Sequence, residues 1–232
     1  MKSRFIWLLA GLALAVGFGA LGRWQLQRGL EKQLMLDQVA VATAGGEAQS
    51  LVAAANAGGY TRAAGSGHFL PGPILLLDNQ RRGAAVGVRV LAPFRANGGS
   101  VLLVDLGWLA LPGDRRLPEV SLPVGEQTLA GLLTPPPSPG IALGPASTPA
   151  GPNRQLLTRV DLPALSADLG LSLAPRILRL DPSLPLGYAR DLDVLPNTLP
   201  PERHRGYALQ WFGLALTTLL LSLYFAFFRR RP

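Results

Sequence analysis

Tyr207 to Phe228 is a run of about 22 residues without a formal charge, broken only by Gln210, Thr217, Thr218 and Ser222. At ~1.5 Å per residue a helix of that length crosses a ~30 Å hydrocarbon core. A chain ending this way must satisfy that stretch first, in lipid or in a core of its own. Arg229, Arg230 and Arg231 close it, as cytoplasmic ends of spanning helices tend to be closed. Just ahead of it stands His204, between Arg203 and Arg205.

The other end matches. After a short basic start, Phe5 to Leu21 is apolar, about 17 residues, at the short limit for spanning. A retained anchor is the favoured reading, and a secretory signal peptide competes with it, since Gly17 and Gly19 offer small residues for cleavage. Gly11, Ala15 and Gly19 recur at steps of four and give one flank where a second helix can approach closely. Such residues are also common in any spanning helix.

The formal charge of +8 does not point to nucleic acid. Five of the 22 Lys and Arg flank the apolar runs at the termini, while all 14 acids lie in the middle, which is close to balance. That is a topology signal rather than a phosphate-binding stripe. The expected order is a cytoplasmic tail at 1–4, a transmembrane helix at 5–22, an extracytoplasmic domain at 23–205, a second transmembrane helix at 206–228 and a cytoplasmic tail at 229–232. Cysteine is absent and only His68 and His204 are present, which excludes disulfides, thiolate chemistry and a His-rich metal site.

Beyond the first span the helix is expected to continue, with Leu26, Leu30 and Leu34 at helical spacing and Trp24 at an interfacial position. Ala40 to Gly59 reads as a mobile connection or a short helix. The middle then breaks into short apolar runs separated by Pro and Gly: Tyr60–Gly67, Ile74–Asn79, Val86–Phe94, Val101–Trp108, Gln127–Leu133, Gln155–Val160 and Arg176–Leu180. These predict an antiparallel sheet or small barrel, a β-rich α+β domain between two membrane helices. One helix is expected after Asp161 as N-cap, with Leu165 and Leu169 inward and Gly170 as the stop. The stretch 134–152 is too rich in proline for a regular element and reads as an extended loop.

On a helix, His204 shares a face with Tyr207, Ala208 and Trp211. The first helix brings Arg23, Trp24, Gln25 and Arg28 to the same level. A neutral imidazole binds haem iron, aromatic walls accept the macrocycle, and Arg23, Arg28, Arg203 and Arg205 could pair with its propionates. Ordinary interfacial anchoring of two spanning helices explains the same residues. His68 carries no assigned role. Hydrolase, nucleotide and metalloprotease signatures are missing: Gly65-Ser66-Gly67 is flanked by Ala64 and His68, so it is not G-x-S-x-G.

Four blocks, in order, resemble the surfeit locus protein 1 family. They are Leu21-Gly22-x-Trp24-Gln25-Leu26-x-Arg28 with Lys32; Gly67-x-Phe69, Leu77-Asp78-Asn79-x-Arg81, Gly87, Val88 and Pro93; Val101-Leu102-Leu103-Val104-x-x-Gly107-Trp108; and Arg203-His204-x-x-Tyr207-Ala208-x-Gln210-Trp211-Phe212. The stretch from about Leu109 to Asn197 matches only loosely. The resemblance implies a multi-pass protein of the bacterial inner membrane, with both termini cytoplasmic and the main domain periplasmic. It implies an assembly factor, not an enzyme, for haem-copper cytochrome c oxidase, which binds haem a and aids its delivery to the catalytic subunit. The implied partners are that subunit, other assembly factors and the lipid bilayer, with no nucleic acid. The family's membrane-edge histidine corresponds to His204, the implied ligand of the haem iron. Two positions depart: Asp105-Leu106 replaces the family's Asn-Arg before Gly-Trp, and Arg203 replaces its Asn before the histidine. A scaffold that docks on oxidase subunits without haem is the alternative. An enzyme of the cell envelope is a third, which a pocket holding Asp105 beside another acid would support.

Overall fold

The computed structural model describes residues 2–138, 144–195 and 198–228. The expected tail at 229–232 and residues 139–143 of the proline-rich loop lie outside them. The chain divides into two compact units, one of residues 1–37 with 197–232, the other of residues 38–196.

The first unit is a pair of helices. Helix α1 is Lys2–Thr43 and helix α4 is Pro201–Phe227. Both contain windows long and apolar enough to cross a membrane, and only 11% of each window is buried. That exposure separates them from the core helices of a water-soluble protein, which bury such windows. Helix α1 is helical straight through Gly29 and runs past the expected end of the apolar stretch. Along the part of α1 that faces α4 the covered positions are 8, 11, 15, 18, 19, 22, 25, 29 and 32. On α4 they are 201, 204, 208, 211, 215, 218, 222 and 226. Apart from Gly19 and the last step to Ala226, both series alternate steps of three and four, the 3.5-residue period of a left-handed seam.

Cross-contacts fix an antiparallel register along that seam. Ser222 Oγ donates to the Trp7 carbonyl at 2.7 Å. Phe18 stacks on Trp211 with ring centroids 5.7 Å apart, and Lys32 Nζ donates to the Leu199 carbonyl at 2.5 Å. The leucine stripe Leu26, Leu30 and Leu34 is helical as expected but exposed, whereas Lys32 is buried. The small residues decide this. Gly22 and Gly29 let the second helix come closer than leucines would, so the Gly/Gln/Lys face pairs and the leucine face is left outside.

The second unit is a mixed sheet of nine strands in the order β1-β2-β6-β9-β5-β4-β3-β8-β7, with β2 also paired to β4. The strands are β1 Gln49–Ser50, β2 Thr61–Phe69, β3 Ile74–Arg82, β4 Ala85–Ala96, β5 Val101–Ala110, β6 Gln127–Thr134, β7 Ser147–Pro149, β8 Arg154–Leu157 and β9 Leu173–Leu180. The β2–β4 pairing closes β2, β6, β9, β5 and β4 into a small barrel. Most pairings are antiparallel; β1–β2, β3–β8 and β5–β9 are parallel. Period-two alternation sorts the side chains into two cores. Val88, Val90, Ala92 and Phe94 of β4 pack with Leu102, Val104 and Leu106 of β5 in one. Leu75, Leu77, Leu91, Leu103 and Ile177 form the other, under helix α3, Leu162–Leu169. Asp161 caps α3 by accepting from Ala164 N at 3.1 Å, and Gly170 ends it at φ 63°.

All seven expected strands are present, within a few residues of their expected limits. Two short elements, β1 and helix α2 at Leu51–Ala54, lie in the stretch read as a connection or short helix. The proline-rich stretch holds one regular piece against expectation, β7, which pairs with β8 through Ser147, Thr148 and Pro149. As an edge strand it tolerates a proline, whose missing donor faces away from the ladder.

Candidate functional site

The helix pair carries the polar cluster. His204 lies one turn into α4, after Pro200 and Pro201, with Glu202 in the first turn. Its imidazole is 6% exposed. Nδ1 stands 2.6 Å from Gln25 Oε1 of α1, and Nε2 is buried with no hydrogen-bond partner. Opposite it is Gly29, where an added Cβ would lie 3.2 Å from His204 Cβ and 3.3 Å from the Pro201 carbonyl oxygen. The absent side chain at 29 is what lets the histidine enter the seam. One turn on, Lys32 is buried and held by the Leu199 carbonyl.

The other expected site residues are distributed differently. Trp211 is half-buried on the seam against Phe18. Trp24 and Tyr207 are 52% and 41% exposed, on the outer sides of their helices. Arg23, Arg203 and Arg205 are exposed, and Arg28 is exposed and paired with Glu31 at 2.7 Å. The imidazole is therefore brought to Gln25, Gly29 and the Lys32 turn, not to a ring of aromatics. Sequence reasoning placed Gln25 at the right level without a role, and missed Lys32. Its signal was the seven-residue spacing from Gln25, which puts both on one helix face.

The two ring nitrogens make His204 a candidate ligand to iron. In metal-bound histidines one ring nitrogen is commonly held by an oxygen acceptor while the other faces the metal. Gln25 supplies that acceptor, and the orphaned Nε2 is the free donor.

The barrel unit shows different chemistry. Asp105 is buried, bonded to Arg89 and to Gly107 N at 3.0 Å, with Arg179 Nε at 3.9 Å. Its ion-pair partners are cations, and the next acid, Asp191, is reached through Arg179 at 3.7 Å. Arg179 reaches on to the carbonyls of Asp191 and Asp193 and ties the 191–195 segment to β9. A cleft of about 440 Å³ opens between Pro136, Pro137, Leu162, Pro163 and Pro175; its one carboxylate, Asp161, already caps α3. Among the described residues no group of three or more His, Cys, Asp or Glu could hold a metal ion.

No curated protein matches the chain at significant similarity. A family model described as the SURF1 family matches residues 12–216, which takes in the seam of α1, the whole barrel unit and the first half of α4. Two membrane-length helices flanking a β-rich domain, with a match over most of its length, make this chain a member of the SURF1 family, which is associated with cytochrome c oxidase assembly.

Proposed function

We propose that this protein is a non-enzymatic assembly factor of the bacterial inner membrane that carries haem a on His204 and aids its insertion into the catalytic subunit of a haem-copper cytochrome c oxidase. The observation that carries this is the buried Nε2 of His204, without a partner, on a ring whose other nitrogen is held by Gln25. An unpartnered buried acceptor is costly and asks for an explanation, of which a ligand taken up there is one. Haem a is the cargo and supplies the iron that takes up the Nε2 lone pair. Arg23, Arg203 and Arg205, exposed at the same end of the helix pair, are available to its propionates. Trp24 and Tyr207, exposed on the outer sides of the helices, reach a macrocycle only once the pair has opened. Both termini are cytoplasmic in this reading, and the barrel unit is periplasmic, where it docks on the oxidase subunit and on other assembly factors.

A second reading has its own support. At 6% exposure the imidazole is enclosed by the helix pair, so loading a macrocycle requires α1 and α4 to part at that end. A scaffold that docks on oxidase subunits and holds no haem needs no such opening. Expression of the full chain in a host that makes haem a separates the two. Wild type is expected to co-purify with haem and His204→Ala to lose it. Equal haem content and spectra for both remove His204 as the ligand. Haem-free wild type that still cross-links to an oxidase subunit favours the scaffold.

A further inference from the structure

A neutral imidazole carries one proton, and the hydrogen bond at one ring nitrogen fixes what the other can do. Gln25 Oε1, 2.6 Å from His204 Nδ1, is an atom that only accepts. With that oxygen facing the ring, the proton belongs on Nδ1, which leaves the lone pair on Nε2, buried and unpartnered. Gln25 is held by its place on the α1 seam, one turn before Gly29, where a Cβ would lie 3.2 Å from His204 Cβ. A hydrophobic residue of the same length would fill that space equally well and leave the tautomer unset.

We infer that Gln25 is the positioning residue of His204, committing Nε2 as an electron-pair donor to a metal centre such as haem iron. This rests on the reading of His204 as a ligand, but the tautomer is a property of the protein without haem and is measured separately. Gln25 touches the imidazole and not the cargo, so its effect passes through His204 alone.

The full chain in lipid nanodiscs, labelled with ¹⁵N-histidine, gives two imidazole signals, from exposed His68 and buried His204, which His68→Gln assigns. Wild-type His204 is expected as one tautomer with the proton on Nδ1. Gln25→Met removes the acceptor at nearly unchanged length, and the single-tautomer signal is lost. Gln25→Glu returns an acceptor oxygen and restores it. In the same variants haem affinity falls about 10–100-fold with Met and recovers with Glu. A proton on Nε2 in wild type, or an unchanged tautomer in Gln25→Met, overturns the inference. Should Gln25→Met fail to fold, the wild-type and Gln25→Glu spectra decide alone. A tautomer that follows Gln25 in a protein that takes up no haem keeps Gln25 as the positioning residue and removes haem carriage instead.

Discussion

Asp105 and Leu106 stand where related sequences are expected to carry Asn-Arg, and the barrel shows how the exchange is absorbed. A bulge between β4 and β5 sets Val90 against Gly107 and Leu91 against Asp105, leaving Leu106 as the extra residue. Leu106 turns into the barrel core, and Gly107 follows at φ 114°, with its missing Cβ facing the Tyr188 backbone. Asp105 points to the other face, where β4 and β9 supply Arg89 and Arg179. The cation is thus not replaced at its own position; two cations arrive from neighbouring strands. Removing the acid leaves Arg89 without its carboxylate in a place with little water, while Arg179 keeps Asp191 and the carbonyls of Asp191 and Asp193. Asp105→Ala is expected to cost about 3–5 kcal/mol in urea unfolding of the full chain followed by circular dichroism. Asp114→Ala, whose pair with Arg116 is exposed, is the control and is expected to cost no more than about 1 kcal/mol. None of this was legible beforehand, because a carboxylate within a strand shows no partner in sequence until the strands across the sheet are known.

The two long helices and seven of the strands were readable because each carries a period that survives without tertiary context. Two- and three-residue elements such as β1 and β7 have no period and were not. The seam shows where a short pattern misleads. Gly11, Ala15 and Gly19 step by four, and each such step drifts about 40° around a helix of 3.6 residues per turn. By Gly19 the drift has left the partner helix, and a Cβ there would meet nothing within 4 Å. Alternating steps of four and three stay on the seam and lead to Gly22, where a Cβ would lie 2.7 Å from the Phe212 ring. Gly22→Leu is therefore expected to overpack the pair and weaken it by about 1–3 kcal/mol, with loss of the near-ultraviolet circular dichroism of the Phe18–Trp211 stack on heating in detergent. Gly19→Leu, at the position the shorter pattern favoured, should leave that signal unchanged. The same seam explains the partial legibility of the site. His204 was found from its place beside the membrane run. Which side of α1 it meets depends on the phase of a seven-residue repeat whose glycines look alike in sequence.

At the scale of the whole chain the proposed task depends on α1 staying attached through Gly17 and Gly19 rather than being cut there as a leader. The sequence left both outcomes open, because a 17-residue apolar run with small residues suits either. The helix pair gives a way to decide. Phe18, which lies before Gly19, stacks on Trp211 of α4, while Gly29, which lies after it, faces His204. The natural chain has no cysteine, so any introduced pair is the only pair. Phe18→Cys with Trp211→Cys, treated in membranes with a short bismaleimide, is expected to yield an intrachain link in the mature protein. Gly29→Cys with His204→Cys reports the same seam beyond the cleavage point. Links at both positions mean a retained anchor, and with it a hairpin whose ends share one side of the bilayer. A link only at the second means that the leader is gone and α4 crosses the membrane alone. In that case the stretch of α1 carrying Gln25 has no span of its own to hold it at the membrane edge, and the arrangement proposed for His204 has lost its support. Masses of the unlinked proteins, read alongside, separate a cleaved chain from a pair that merely fails to react.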